Sequence, residues 1–327
     1  HLSLRRQRQM CIRDRSSSAR ARGVAMLLAS AVCFAAVGPL AKSLYSTGWS
    51  PGTVVLVRLV GAAVLLAVPA VLALRGSWPT VLERRWSLLG FGFVSVAGTQ
   101  IFFFLSLSYL DVGIAILIEI MGAPIIVVLW VWIRHGVRPR AVTVAGMAIA
   151  SLGLVAVLAP GDTSLHPLGI VLALAAAACF ASYFVFAAHQ DGQIPPVALN
   201  ALGMVIGALV TFVVTLTPVM PAALELADVM LAGAEQPWFM PAALLVLTTV
   251  GAYWLGAIGL RPVGATVGAF INLLEIPLAA ILAWLLLSER LQPLQIVGAA
   301  VVMLGIVMVQ AGEAPKEDAG GPKARAD

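Results

Sequence analysis

The stretch at residues 265–298, ATVGAFINLLEIPLAAILAWLLLSERLQPLQIVG, decides the fold class because it begins with an apolar run long enough to cross a bilayer. Glu275 lies near the middle of this run, and Pro277 follows two residues later. A carboxylate at bilayer depth costs ~3 kcal/mol or more, so it marks a functional site by default. A proline at this depth frees a backbone carbonyl that a ligand or a neighbouring helix can use. We therefore expect the rest of the chain to surround this helix.

The amino-acid composition is that of a membrane protein. Of the 327 residues, 61% are hydrophobic and only 11% are charged, whereas soluble domains carry about 25% charged residues. The apolar residues fall into repeated runs of about 17–24 residues, and a helix of that length spans a bilayer. A membrane β-barrel would need alternating apolar and polar residues, which these runs lack. The sequence therefore predicts an all-α polytopic membrane protein.

Ten transmembrane helices are predicted, joined by short connections that often end in Pro or Gly. The longest connection, between the seventh and eighth spans, contains Glu225, Asp228 and Glu235. The predicted spans are 24–44, 53–74, 88–109, 112–133, 142–159, 168–188, 197–217, 239–260, 263–287 and 294–310.

The basic residues indicate how the chain lies in the membrane. If the N-terminus is cytoplasmic, most of the 20 Lys and Arg residues fall on the inner side, with only Lys42 and Arg290 outside and Arg58 within the second span. The positive-inside rule then places both termini in the cytoplasm. We expect a multi-pass protein of a bacterial-type inner (plasma) membrane. The basic excess is interpreted as a topology signal, so no nucleic-acid partner is predicted.

The two terminal segments are left out of the predicted membrane domain. Residues 1–22 are basic, begin with His1 and show no apolar period, so they resemble translated upstream or adaptor sequence, with Met10 or a later residue as a native start. Residues 312–327 are predicted to form a disordered cytoplasmic tail.

The chain contains an internal repeat. The motif Cys33-Phe34-Ala35 of the first span recurs 146 residues later in the sixth span. Glycines of the fifth span, Gly146 and Gly153, recur 152 residues later in the tenth span as Gly298 and Gly305. These correspondences predict two copies of one unit, repeat 1 at 23–160 and repeat 2 at 168–311.

Each predicted copy holds five spans. Because five is odd, the two copies are predicted to lie in opposite orientations, as in many secondary transporters, with a site near midplane. The paired glycines of the fifth and tenth spans lie on one helix face and allow close backbone approach. We interpret them as packing within the chain, with a homodimer contact as the alternative.

Several motifs carry a resemblance to a known family. The paired units, LEIP at 274–277, SER at 288–290 and QIVG at 295–298 resemble the EamA-type family of the drug/metabolite transporter superfamily. IEIMGAP at 118–124 resembles the E-x-x-G-P stretch of the threonine/homoserine exporter branch, with an inserted alanine. The resemblance covers about residues 23–311 and implies ten helices, cytoplasmic termini, a central cavity and efflux. It departs from the pattern in repeat 1, which has Arg134-His135 where repeat 2 has Glu289-Arg290.

Two intramembrane glutamates are the main candidates for chemistry. Alignment of the repeats on their prolines, Pro124 and its counterpart, pairs Glu119 with Asn272 and Gly122 with Glu275. In each helix the two positions are three residues apart and share a face. Each repeat thus supplies one carboxylate, for which a cavity-facing role and a buried hydrogen bond to a neighbouring helix are the two interpretations. The residues given structural roles are Pro124, Pro277, Gly122, Gly298 and Gly305.

Arg58 is a cation inside a span, and its planar fork suits a substrate carboxylate. Snorkelling toward the surface or pairing with a buried glutamate are the alternatives. Further candidates for lining a cavity are polar or aromatic: Gln100, Tyr253, Trp254, Tyr183 and Asn200. Tryptophans at span ends are interpreted as an interfacial belt: Trp49, Trp78, Trp86 and Trp238.

The sequence contains no glycine-rich phosphate loop and no H-E-x-x-H motif, and its histidines show no metal-ligand spacing. No cofactor, metal or ATP-driven step is predicted. The cysteines indicate no disulfide framework.

These observations predict a secondary active transporter that exports a small amine-bearing metabolite, an amino acid among the candidates, by exchange against a proton carried on a glutamate. One alternative is an importer or exporter of a neutral or cationic drug-like compound. A membrane-embedded enzyme is the alternative of another class, and no nucleophile–base or metal constellation supports it.

Overall fold

The computed structural model describes residues 2–75, 77–110, 112–136, 138–158, 166–188, 194–288 and 292–313. Within these ranges, nine helices are long and apolar enough to cross a membrane. A shorter apolar helix, Ala141–Val157, stands where the fifth span was predicted. The nine candidate spans are Ser18–Tyr45, Pro51–Ala73, Arg85–Ser106, Ile114–Arg134, Pro167–Ala188, Pro196–Thr215, Phe239–Val263, Ala265–Leu287 and Pro293–Glu313.

The helices follow the apolar runs closely, with the departures described below. Helix α1 begins at Leu2, so it includes most of the basic segment that was set aside. In chain order the helices are α1 (Leu2–Tyr45), α2 (Pro51–Ala73), α3 (Trp78–Glu83), α4 (Arg85–Gly90), α5 (Thr99–Ser106), α6 (Val112–His135), α7 (Ala141–Leu158), α8 (Pro167–Ala188), α9 (Pro196–Thr215), α10 (Phe239–Val263), α11 (Ala265–Asn272), α12 (Glu275–Leu287) and α13 (Pro293–Glu313).

The third span is not a uniform α-helix. A π-helical segment, Phe91–Gly98, joins α4 to α5. Its turns are wider than those of an α-helix, and such segments are often found at functional sites. The hydroxyl groups of Ser95 and Ser182 lie 2.5 Å apart and tie this segment to α8.

The ninth span, predicted as one apolar run with Pro277 near its middle, is divided into two helices. Helix α11 ends at Asn272 and α12 begins at Glu275. Pro277 causes this break, because it has no N–H to donate and its ring would clash with the carbonyl of Leu273 one turn earlier. The amide of Leu274 instead donates to the carbonyl of Ile271, 3.1 Å away, in a tighter turn.

The connection between α9 and α10 contains a short β-hairpin, which is an exception to the predicted all-α fold. Strands β1 (Val229–Leu231) and β2 (Ala234–Gln236) pair antiparallel. Both turn residues, Ala232 and Gly233, have positive φ, of 53° and 77°, as a two-residue type I′ turn requires. The Ala232 amide donates to the carbonyl of Leu286 at 2.7 Å. The hairpin thereby covers the end of α12.

The predicted glycine faces pack against each other within the chain. A Cβ added at Gly153 would lie 2.8 Å from the carbonyl oxygen of Gly298, and one at Gly305 would lie 2.5 Å from the amide of Ala150. Real Cβ atoms do not approach so closely, so these glycines let α7 and α13 touch backbone to backbone. These two faces are therefore buried inside one chain and are not open to a second copy.

Candidate functional site

A cavity of about 220 Å³ lies beside the break in the ninth span. Helices α1, α2, α5, α6, α8, α10 and α12 all contribute to its wall. Its polar lining residues are Arg58, Thr99, Gln100, Glu119, Tyr253 and Glu275. Five of these six were predicted from sequence, and the π-helical segment leads directly into the other, Thr99.

Glu275 is the first residue of α12, so its carboxylate lies at a helix N-terminus. Unpaired amides and the helix dipole favour a negative charge at this end of a helix. The Asn272 amide group donates a hydrogen bond of 3.0 Å to Glu275 Oε2. The sequence prediction that these two residues share a face is therefore met across the break.

Glu119 and Arg58 reach the same cavity from the first half of the chain. Helix α6 supplies Glu119 and α2 supplies Arg58, which is only 9% exposed. Among the described residues, Arg58 Nε has no hydrogen-bond partner, and the side chain of Tyr253 lines the same cavity. Arg58 interacts electrostatically with both Glu119 and Glu275. One buried cation therefore shares the cavity with two carboxylates, and it does not snorkel to the surface.

Asn200 and Tyr183 stand behind the cavity wall. Both side chains are buried and donate to the backbone carbonyl of Tyr253, Asn200 Nδ2 at 3.0 Å and the Tyr183 hydroxyl at 3.2 Å. These bonds join α9 and α8 to α10 at the level of the cavity. They fix the position of Tyr253, so Asn200 and Tyr183 position the wall instead of lining it.

Two tryptophans lie where sequence reasoning did not place them. Trp254 is 38% exposed and does not line the cavity, because it is one residue from Tyr253 and so points about 100° away around the helix. Trp49 was assigned to an interfacial belt, but it is buried. Its indole N–H donates to the carbonyl of Glu225 at 2.9 Å, and its ring stands 6.0 Å from that of Trp238.

Three aromatic residues of the cavity wall were not predicted from the sequence. Phe34, Phe103 and Phe180 line it, and the Phe34 ring lies 5.1 Å from that of Tyr253 in an edge-on contact. A signal for two of them was present, since Phe34 and Phe180 are counterparts in the repeat motif.

Among the residues given structural roles, Gly122 packs against Ala177 of α8.

A model of the EamA-like transporter family matches the chain twice, at residues 21–159 and 167–310. The chain belongs to this family. As an EamA-like protein it is a multi-pass membrane transporter and not an enzyme. Glu119 and Arg58 belong to the first EamA segment, and Asn272 and Glu275 belong to the second. Glu289 and Arg290, which carried part of the resemblance, lie outside the described residues.

Curated relatives match most of the chain. The threonine/homoserine exporter RhtA of Escherichia coli strain K12 is 28% identical over 282 residues, covering 86% of this chain and 88% of that protein. RhtA of Salmonella typhimurium strain LT2 is 29% identical over 266 residues, covering 81% and 83%. YwfM of Bacillus subtilis strain 168, named an uncharacterized transporter, is 27% identical over 254 residues, covering 77% and 80%.

A solved crystal structure has the same fold. It superposes with a TM-score of 0.68 at 19% sequence identity and covers 89% of this chain and 97% of its own. At that identity the likeness concerns the arrangement of helices alone.

The break at Pro277 can be tested against Pro124, which lies inside the continuous helix α6 of the first EamA segment. Pro277→Ala restores an amide and lets α11 and α12 join, which moves the Glu275 carboxylate relative to the cavity. We expect the variant to insert normally but to transport several-fold more slowly in proteoliposomes. Pro124→Ala is the control and should change the rate less. Equal rates in both variants and the unmodified protein would make the break a packing detail.

Proposed function

We propose that the protein is a secondary active transporter that exports a small amine-bearing metabolite, an amino acid in the first instance, coupled to protons. One observation carries this proposal. Two glutamates, one from each EamA segment, share a small cavity with a buried arginine whose Nε is unpartnered. An arginine fork suits a carboxylate, and an anionic side chain suits an ammonium group. The cavity therefore offers a partner to each end of a zwitterion.

Charge counting supports proton exchange. Glu119 and Glu275 bring two negative charges when ionised, and Arg58 brings one positive charge. A second cation is needed to balance the site, because like charges close together in a dry cavity disfavour each other. In the empty site a proton supplies that charge. A zwitterionic substrate adds no net charge, but its carboxylate pairs with Arg58 and its ammonium takes the place of the proton beside a glutamate. Alternation between the two would couple export to proton entry.

The names of the RhtA relatives favour a small hydroxylated amino acid as the first substrate to test. The test is flux of L-threonine and L-homoserine from proteoliposomes, with and without a pH gradient, at equal protein incorporation. We expect the gradient to increase the flux. No flux of either compound, with transport of a cation that lacks a carboxylate, would favour the drug-like substrate class, which the aromatic walls could also accommodate.

We propose ten transmembrane helices in two inverted units, with 23–160 and 168–311 as their bounds and both termini in the cytoplasm of a bacterial cell. The charge bias supports this orientation. Reporter fusions after Gly161 and after Glu225 should report the outside, and fusions after Arg140 and after Gly312 the inside. A C-terminus on the outer side would overturn both the orientation and the inverted arrangement.

A further inference from the structure

A second cavity, of about 550 Å³, lies between α6, α8 and the start of α4. Among the described residues it shares no lining residue with the cavity that holds Glu275. Its walls are largely apolar and include Ile126 and Trp130. Two arginines, Arg84 and Arg134, line it at the end of the bundle predicted to be cytoplasmic.

One face of α6 connects the two cavities. Glu119 lines the first cavity, and Ile126, Trp130 and Arg134 line the second. These residues are spaced by seven, four and four positions, so they lie along one side of the helix. A ligand moving along this face would pass from Arg134 at the helix end to the Glu119 carboxylate at its middle.

The two cavities are also built from equivalent parts of the repeat. Ala181 lines the second cavity, and its counterpart 146 residues earlier, Ala35, lines the first. Ile126 lines the second cavity, and its counterpart 153 residues later, Ala279, lines the first. The charges differ, because the first cavity holds two carboxylates beside Arg58, whereas the charged residues that the described part of the chain places around the second are Arg84 and Arg134.

We propose that the second cavity is a separate binding site, in which Arg84 and Arg134 hold the substrate by its carboxylate before it reaches Glu119. This inference rests on the proposed function. Guanidinium groups beside apolar walls suit a small carboxylate with an apolar body. The same chemistry is found in an anionic phospholipid, so the experiment must separate the two sources.

The test uses a reporter cysteine at Ala178, which is exposed and lines the second cavity, in a chain whose three native cysteines are replaced by alanine. Thiol modification is timed with a sulfonate-bearing and a trimethylammonium-bearing methanethiosulfonate reagent. Because the arginines attract negative charge, we expect the anionic reagent to modify the cysteine about threefold faster, or more, than the cationic reagent. Arg84→Gln with Arg134→Gln should remove this preference. Arg85→Gln, which changes a neighbouring arginine that does not line the cavity, should not. Ser182→Cys provides a second reporter position.

Protection identifies the ligand. L-threonine should slow modification at the reporter, whereas L-threoninamide, which lacks the carboxylate, should not. Protection should disappear in the Arg84→Gln, Arg134→Gln variant. Protection by phosphatidylglycerol in vesicles, with none by L-threonine, would assign the cavity to lipid and overturn the proposal, as would no protection by either.

The outcome is independent of the flux test. Modification requires no transport, so carboxylate-dependent protection in a protein that does not move L-threonine would refute export of L-threonine and keep the second cavity as a carboxylate site. Flux without protection would refute this site and keep the proposed function.

Discussion

Glu275→Gln is expected to abolish the stimulation of transport by a pH gradient while leaving a protein that folds and inserts normally. The amide has the shape of the protonated carboxyl group and can still accept the 3.0 Å hydrogen bond from Asn272. It cannot release a proton or pair with an ammonium group. Substrate flux in proteoliposomes should therefore fall to the rate measured without a gradient. Glu275→Asp should retain part of the stimulation, with altered pH dependence, because the carboxylate remains but stands one methylene short.

Glu119→Gln is the matched control, since Glu119 lines the same cavity from the other EamA segment. Loss of pH stimulation in Glu119→Gln alone would move the coupling site to α6. If both glutamine variants keep full pH stimulation, proton exchange is wrong and the two glutamates are structural hydrogen-bonding groups.

Arg58→Gln is expected to weaken transport of substrates that carry a carboxylate. Removing one partner of a buried charge pair costs about 2–5 kcal/mol, and about 1.4 kcal/mol is a tenfold change. The half-saturating concentration of L-threonine should therefore rise by about 30-fold or more. That of L-threoninamide should change much less, because it has no carboxylate to lose. Arg58→Lys should raise the half-saturating concentration of L-threonine less than Arg58→Gln does, since a lysine keeps the charge without the planar fork.

Arg58→Gln also leaves two carboxylates without their cation, which could impair folding. The double variant Arg58→Gln, Glu119→Gln restores the charge balance and keeps the comparison between the acid and the amide informative. An equal loss for L-threonine and L-threoninamide would show that Arg58 holds the glutamates in place and does not contact substrate.

Much of the architecture could be predicted from the sequence because apolar length alone sets where helices cross a bilayer. The cavity could be found in outline for a similar reason. Charged residues such as Glu119, Glu275 and Arg58 are too costly to face lipid, so they meet inside the bundle. The repeat also pairs Gln100 with Tyr253, and both line the cavity.

The remaining features depend on contacts that a single helix pattern does not encode. The π-helical segment Phe91–Gly98 packs against α8 and α9, and its residues look like any apolar run. The hairpin of β1 and β2 was not predicted because each of its strands is only three residues long. Trp254 points away from the cavity because it follows Tyr253 on α10, and residue type alone does not show in which direction a helix position points.

The break before Glu275 gives α12 a hinge at its N-terminal end, about which the helix would tilt as a rigid body. Its 13 residues form a helix about 20 Å long at 1.5 Å per residue. The hinge lies at Leu273 and Leu274. A tilt of about 10° there carries the far end through about 3 Å. That end holds Leu286, whose carbonyl is bonded to the hairpin. A small movement caused by a change of charge at Glu275, beside the hinge, would become a larger displacement at the far end of α12. A spectroscopic label on the hairpin should therefore detect protonation or substrate binding in the cavity.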